Sequence, residues 1–361
     1  MSALLTVAGL ARCAGTEPRG RECPTAPRRR DSGPRTIPFA GGDPDQRGWV
    51  RVDDLLWIER EHAEAYARGE IRLDGRYVAF AVADAAPKSP EGGYVLRTDH
   101  LLLRTNVTFA RAKELAREGE RHLGRVVDAY GDALDLRLPA DPLRVVIAAR
   151  RHEFAALLAR SIPASVDWNA FYETSSGTVY AADEATSPAN LPPVADLRHE
   201  MTHAILDLGR PEAGRASMYA RPQFWVWEGV ALYTEGWGDP PGVRSGAGRL
   251  DRFRRRAAWG DVVPLGELFA LRQDAFLGRH YDETAALMSW LVDGDGGARR
   301  PAILALLAKV MDGEGETGDF ERFLGMSVEE ADRRFRATWA TPGGVAPTTQ
   351  AGPPSSASTP K

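Results

Sequence analysis

Residues 196–206 read DLRHEMTHAIL and place His199 and His203 four apart, with Glu200 beside the first. On an α-helix, positions four apart differ by about 40° in azimuth and roughly 6 Å along the axis. Both imidazoles then point the same way and can converge on one ion at about 2.0–2.1 Å. Glu200 is turned by about 100° from His199, which suits it poorly as a third ligand but lets it reach a water held on the metal. Two imidazoles leave zinc short of a ligand. Residues 224–236, FWVWEGVALYTEG, offer Glu228 on a second helical segment. Gly229 beside it is expected to let the two helix backbones approach closely. A His, His, Glu set with one open position suits a catalytic rather than a structural zinc. Asp207 and Glu235 are candidates to orient a ligand imidazole from behind.

These residues need elements to hold them. Apolar residues recur at three and four through 109–134, which predicts a long helix over Ala112, Leu115, Ala116, Leu123, Val126, Val127, Tyr130 and Leu134. Strands are expected at 100–105, 143–149 and 177–183, and a helix at 151–160. After Pro192 and Pro193 the pattern is helical, near 194–207, 225–235, 248–258, 265–272, 280–293, 299–311 and 327–340. The last opens with Ser327 and Glu330 at capping-box spacing. Strands first and helices after imply an α+β fold in two parts. The basic run RFRRR at 252–256 spreads around a helix turn and reads as an ion-paired face.

Residues 50–58, VRVDDLLWI, and 71–78, IRLDGRYV, echo each other as strand-turn units. They define a small strand-turn module over 48–96. Residues 1–47 and 341–361 are rich in Pro and Gly and read as a disordered or signal/linker region and a disordered tail. The opening MSALLTVAGLARCAG has an apolar run far shorter than the roughly 20 residues a membrane span needs. It leaves export, or lipid anchoring at Cys13, open, although no Lys or Arg precedes the run and Arg12 stands where a small residue is expected.

The chain has 361 residues and a net charge of −4, so it lacks the basic excess of a nucleic-acid binder. Its two cysteines, Cys13 and Cys23, are too few for a disulfide framework.

His-Glu-x-x-His in HEMTH (199–203), followed by Trp-x-x-Glu-Gly-x-Ala-x-Tyr in WVWEGVALY (225–233), resembles the gluzincin zinc metallopeptidases, and among them the peptidase MA-like proteins. The resemblance covers roughly 97–340. It implies a zincin-like α+β fold: a mixed sheet with the active-site helix, then a mainly helical C-terminal subdomain. It implies Zn2+ held by His199, His203 and Glu228, Glu200 as general base, and a peptide or protein substrate. It also implies an oxyanion-stabilising tyrosine, for which Tyr281 in HYDETAALMSWLV (280–292) is the candidate and His280 a fallback. Aminopeptidase-like gluzincins carry Gly-x-Met-Glu-Asn on an edge strand before the zinc helix. The stretch here is ETSSGTVYAAD, which lacks it and speaks against aminopeptidase activity. The strand at 177–182 is expected to be that edge, open to an extended peptide. Two other readings keep the residues: a non-catalytic binding protein of the same fold, and a zinc hydrolase of a non-peptide amide.

Overall fold

The computed structural model describes residues 48–73, 75–86, 88–159, 168–184, 193–210, 223–237, 245–316 and 318–340. The chain divides into two units, residues 1–33 and 34–361, and every described residue lies in the second. Cys13, Cys23, the 14–47 segment and the 341–361 tail lie outside the described residues.

Both echoing stretches fold as strand pairs. β1 (Trp49–Arg51) and β2 (Trp57–Glu59) run antiparallel. After α1 (Ala63–Ala67), β3 (Glu70–Leu73) and β4 (Arg76–Ala79) do the same, with Gly75 at φ 78°. A left-handed residue there suits glycine, which has no Cβ to clash. α2 (Phe80–Ala85) leads on to β5 (Tyr94–Arg97) and β6 (Leu101–Thr105). Next come α3 (Phe109–Tyr130), β7 (Leu143–Ala148), α4 (Arg151–Leu158), β8 (Ala170–Glu173) and β9 (Thr178–Ala182).

The main sheet has seven strands in the order β1-β2-β5-β6-β7-β9-β8, while β3 and β4 form a two-stranded sheet of their own. The 48–96 segment, expected as a small strand-turn module, thus supplies β1, β2 and β5 to the main sheet. β6, β7 and β9 are parallel and the remaining pairs antiparallel, so the sheet is mixed. One expectation is corrected here. Residues 178–182 are an interior strand, paired with β7 on one side and β8 on the other. Among the described residues the outermost strand is β8, whose sequence AFYE is too short to register as a strand by alternation.

The helices follow: α5 (Pro193–Leu208), α6 (Phe224–Thr234), α7 (Ser245–Ala258), α8 (Leu265–Ala270), α9 (Gly278–Asp293), α10 (Arg300–Met311), α11 (Asp319–Leu324) and α12 (Val328–Ala340). No described helix is long and apolar enough to cross a membrane. Thr108 caps α3, its side chain accepting the Arg111 amide at 3.3 Å, which satisfies one of the orphan donors of the first turn. The buried stripe of α3 packs on the sheet and on α5. Gly119 makes this possible: a Cβ there would lie 2.5 Å from Leu101 Cδ1 on β6 and 3.4 Å from Met201 Cε on α5.

α6 is buried all round, from Phe224 to Thr234. A helix apolar on every face can only sit inside the fold, and α6 lies between α5 and α9. Gly229 has a different role from the one expected. A Cβ there would meet Met288 Cε at 2.7 Å and Thr284 Cγ2 at 3.2 Å, both on α9. The close approach it permits is therefore to α9, not to the His199 helix. The basic run on α7 is ion-paired, as its spread around the helix implied, but partly to buried acids: Arg252 and Arg256 both hold Asp282, at 2.7 and 3.0 Å.

Candidate metal centre

α5 sets His199 and His203 one turn apart, with Nε2 atoms 3.1 Å from each other. α6 brings Glu228 to the same point. Its Oε2 is 3.3 Å from His199 Nε2 and its Oε1 is 3.5 Å from His203 Nε2. The three side chains form a group whose ligand atoms all lie within 4.8 Å of one another. Four ligands held tetrahedrally at about 2.0–2.1 Å stand about 3.3–3.4 Å apart along each edge. The Nε2–Nε2 separation and the nearest Nε2–carboxylate separations, the latter to different Glu228 oxygens, lie close to that value. The donor set, two imidazole nitrogens and a carboxylate oxygen, suits a borderline-soft divalent ion such as zinc.

The surroundings favour a cation. Burial alone would raise the Glu228 carboxyl, but the His203 and His199 imidazoles hold it well below the usual carboxylate range. Burial alone would lower His199, yet Glu228 and Glu235 push its imidazole up to about 10. The carboxylates that hold a proton here would also attract a metal ion, which must displace that proton from the imidazole.

His199 Nδ1 and Glu235 Oε2 have no hydrogen-bond partner among the described residues and face each other at 3.5 Å. A slight turn of the ring would close that gap. Nδ1 would then donate to the carboxylate and leave Nε2 as the ligand nitrogen. Glu235 is fully buried, and Arg249 Nε fixes its other oxygen at 2.9 Å. Glu235→Ala is expected to weaken zinc binding by about 10–100-fold, read by competition with a chromogenic chelator. An unchanged affinity would remove Glu235 from this role. The His203 ring stacks on Trp227, with centroids 4.8 Å apart and planes at 20°.

Glu200 lies on the same helix, its Oε2 accepting the Tyr172 N–H of β8 at 2.8 Å. Burial pushes its carboxyl up; the His199 and His203 imidazoles and the Tyr172 amide oppose this, and Glu228 adds to it. Tyr281 is in the first turn of α9, its ring edge-on to Phe276 at 5.1 Å. Burial raises its phenol, and the Glu228 and Glu200 carboxylates raise it further, which places it within their field. It makes no hydrogen bond to a described residue. His280 is otherwise engaged: its Nδ1 accepts the Leu277 amide at 2.9 Å at the start of α9. Asp207 does not support an imidazole either, since it accepts the Tyr172 hydroxyl at 2.6 Å.

Behind the site lies a buried polar network that the sequence reading missed. Arg198 Nε donates to Glu118 Oε1 on α3 at 2.7 Å, and its Nη1 reaches the Glu235 carbonyl at 3.1 Å. His122 Nε2 meets Thr202 Oγ1 at 2.9 Å, and Thr202 meets Thr234 Oγ1 at 2.7 Å. These contacts tie α3, α5 and α6 at a fixed distance, which sets where His199 and Glu228 meet. A signal was present: Glu118 and His122 are polar residues four apart within the apolar stripe of α3.

Compared with known proteins, the chain matches no family model and no curated sequence.

Proposed function

We propose that the chain is a zinc-dependent metallopeptidase of gluzincin type, with a zincin-like catalytic fold, that hydrolyses peptide bonds. The observation that carries this reading is the convergence of His199, His203 and Glu228, with the two Nε2 atoms 3.1 Å apart and each within 3.5 Å of a Glu228 carboxylate oxygen. His199, His203 and Glu228 would hold the ion. Zinc bound there would supply Lewis acidity, which acidifies water and polarises a carbonyl oxygen. Glu200, next to a ligand on the same helix, serves as the general base: it takes a proton from the attacking water and returns it to the leaving amine. Tyr281 would donate a hydrogen bond from its phenolic O–H to the oxyanion as charge develops, an interaction typically worth about 2.7–4 kcal/mol.

The β8 edge supports a peptide over other amides. The Ala182 amide bonds to the Asn169 carbonyl, so by ladder alternation Phe171 also turns its backbone inward, while Ala170 and Tyr172 turn theirs outward. The Tyr172 amide already reaches Glu200, so this edge runs beside the general base. An extended substrate lying along β8 would pass the site with side chains alternating between the cleft and solvent.

The test is turnover of a mixed library of end-capped peptides by the full chain, stripped of metal and then reloaded with zinc. Cleavage is expected only after reloading, and Tyr281→Phe is expected to lower kcat by about 10²–10³-fold with little change in KM. A zinc-loaded chain that cleaves no member of the library would leave the fold as a binding scaffold and overturn the reading.

A further inference from the structure

The opposite end of the sheet carries a cavity that peptide hydrolysis does not use. β2 joins β5 at a single residue pair, Trp57 with Arg97, and beyond it the strands part. The Thr98 amide bonds to the Leu101 carbonyl. Ladder alternation then directs the backbones of Leu96 and Tyr94 to β6 and turns the N–H and C=O of Val95 into the gap. On the facing strand, the Arg60 amide bonds to the Gly48 carbonyl. Ile58 is therefore paired with β1, and the backbone of Glu59 turns toward the same gap. Among the described residues no strand pairs with either.

A cavity of about 330 Å³ fills this fork, at the lower end of the range of about 300–1,000 Å³ for ligand pockets. Its walls include Trp57, Tyr66, Tyr94, Phe109 and Ile71, with Glu59 and His62 also lining it. Glu59 is half exposed, and its one described cationic neighbour is the His62 imidazole at 3.4 Å. His62 shares that same nitrogen with Glu61, also at 3.4 Å, while Arg72 reaches Glu61 at 3.9 Å. Arg72 and Arg97 also line the cavity, but among the described residues no lysine or arginine pairs with Glu59, which leaves its carboxylate with the shared imidazole alone.

We infer that the fork binds an extended peptide segment of another molecule. The segment adds to β5 as a strand and pairs with the Val95 amide and carbonyl. One large apolar or aromatic side chain enters the cavity, and a basic residue on the same face of the segment meets Glu59. Each feature answers a different part of such a ligand. An outward N–H and C=O on one strand residue is the backbone half of strand addition, and a pocket beside it is the side-chain half. Residues two apart on a strand share a face, so a Lys-x-Trp spacing fits both the acid and the cavity.

The probe is the capped pentapeptide Ala-Lys-Val-Trp-Ala, titrated calorimetrically into the full chain carrying Glu200→Gln. That change prevents cleavage of the probe if the peptidase reading holds and does nothing to the fork if it fails, so the two readings stand or fall apart. Saturable binding is expected, and it is lost when the probe's Trp is replaced by Ala. Val95→Pro removes the outward N–H without touching the β5–β6 ladder, and is expected to weaken binding by about tenfold, the ~1.4 kcal/mol of one hydrogen bond. Ile71→Trp fills the cavity while leaving the backbone intact, and is expected to do at least the same. Glu59→Gln should erase any preference for Lys over Glu in the probe. No saturable binding would overturn the proposal. So would binding of acetyl-tryptophan amide as tight as that of the pentapeptide and indifferent to Val95→Pro, which would assign the cavity to small aromatic ligands. A concentration-dependent dimer abolished by Ile71→Trp would assign the fork to a second copy of the chain and overturn it as well.

Discussion

Glu200→Gln is expected to cut turnover of the peptide library by about 10²–10⁴-fold while zinc stays bound at wild-type affinity. The amide has the size of the carboxyl and can still accept the Tyr172 N–H that positions Glu200 at 2.8 Å, so the geometry of α5 and β8 should survive. What it cannot do is take up a proton at the rate the reaction needs. The metal site does not depend on it, because the converging ligand atoms belong to His199, His203 and Glu228. Paired assays of kcat/KM and of zinc content separate the two roles. Full turnover in the variant would remove Glu200 as the base; loss of zinc would make it a structural part of the metal site.

The second large effect is on stability. Glu118→Ala is expected to destabilise the fold by about 3–5 kcal/mol. Glu118 is 6% exposed and Arg198 3%, and their 2.7 Å contact joins α3 to the metal-bearing helix. Removing the carboxylate withdraws from a buried guanidinium a counterion that helps repay its desolvation. Because Arg198 precedes His199 and also holds the Glu235 carbonyl at 3.1 Å, zinc affinity should fall with stability. Urea unfolding of the metal-free chain reads the first effect without the second. A loss below about 1 kcal/mol, the range of ordinary surface substitutions, would mean that the pair does not brace α3 against α5.

How far the sequence reached depended on the kind of regularity each element carries. The long helix, α3, was legible because seven apolar residues from Ala112 to Tyr130 recur at helical spacing and no tertiary contact is needed to see it, whereas Leu134, the eighth in that pattern, lies past its end. His199, Glu200 and His203 were legible because their geometry is local to one turn. Glu228 was legible by residue type and context, and the structure brings it to the two histidines. β8 was not, since four residues of alternating burial carry too little signal, and without it the wrong strand was taken as the sheet edge. Gly229 shows a different limit. The need for a close approach could be read from the residue, but which helix approaches is a tertiary fact, and it is α9. The Glu118, Arg198 and His122 network was signalled locally only by two polar residues four apart in the α3 stripe; which residues of α5 and α6 they meet is a tertiary fact. Tyr281 was legible only as a tyrosine opening an apolar helix; that the Glu228 and Glu200 carboxylates act on its phenol is a tertiary fact.

The central claim is most directly tested by X-ray absorption on the zinc-reconstituted full chain, together with its metal content. One zinc per chain is expected, with a first shell of two imidazole nitrogens and carboxylate oxygen at about 2.0–2.2 Å, and with the oxygen contribution and most of the affinity lost in Glu228→Ala. A chain that takes up no zinc, or one whose zinc shell is unchanged by Glu228→Ala, would contradict it.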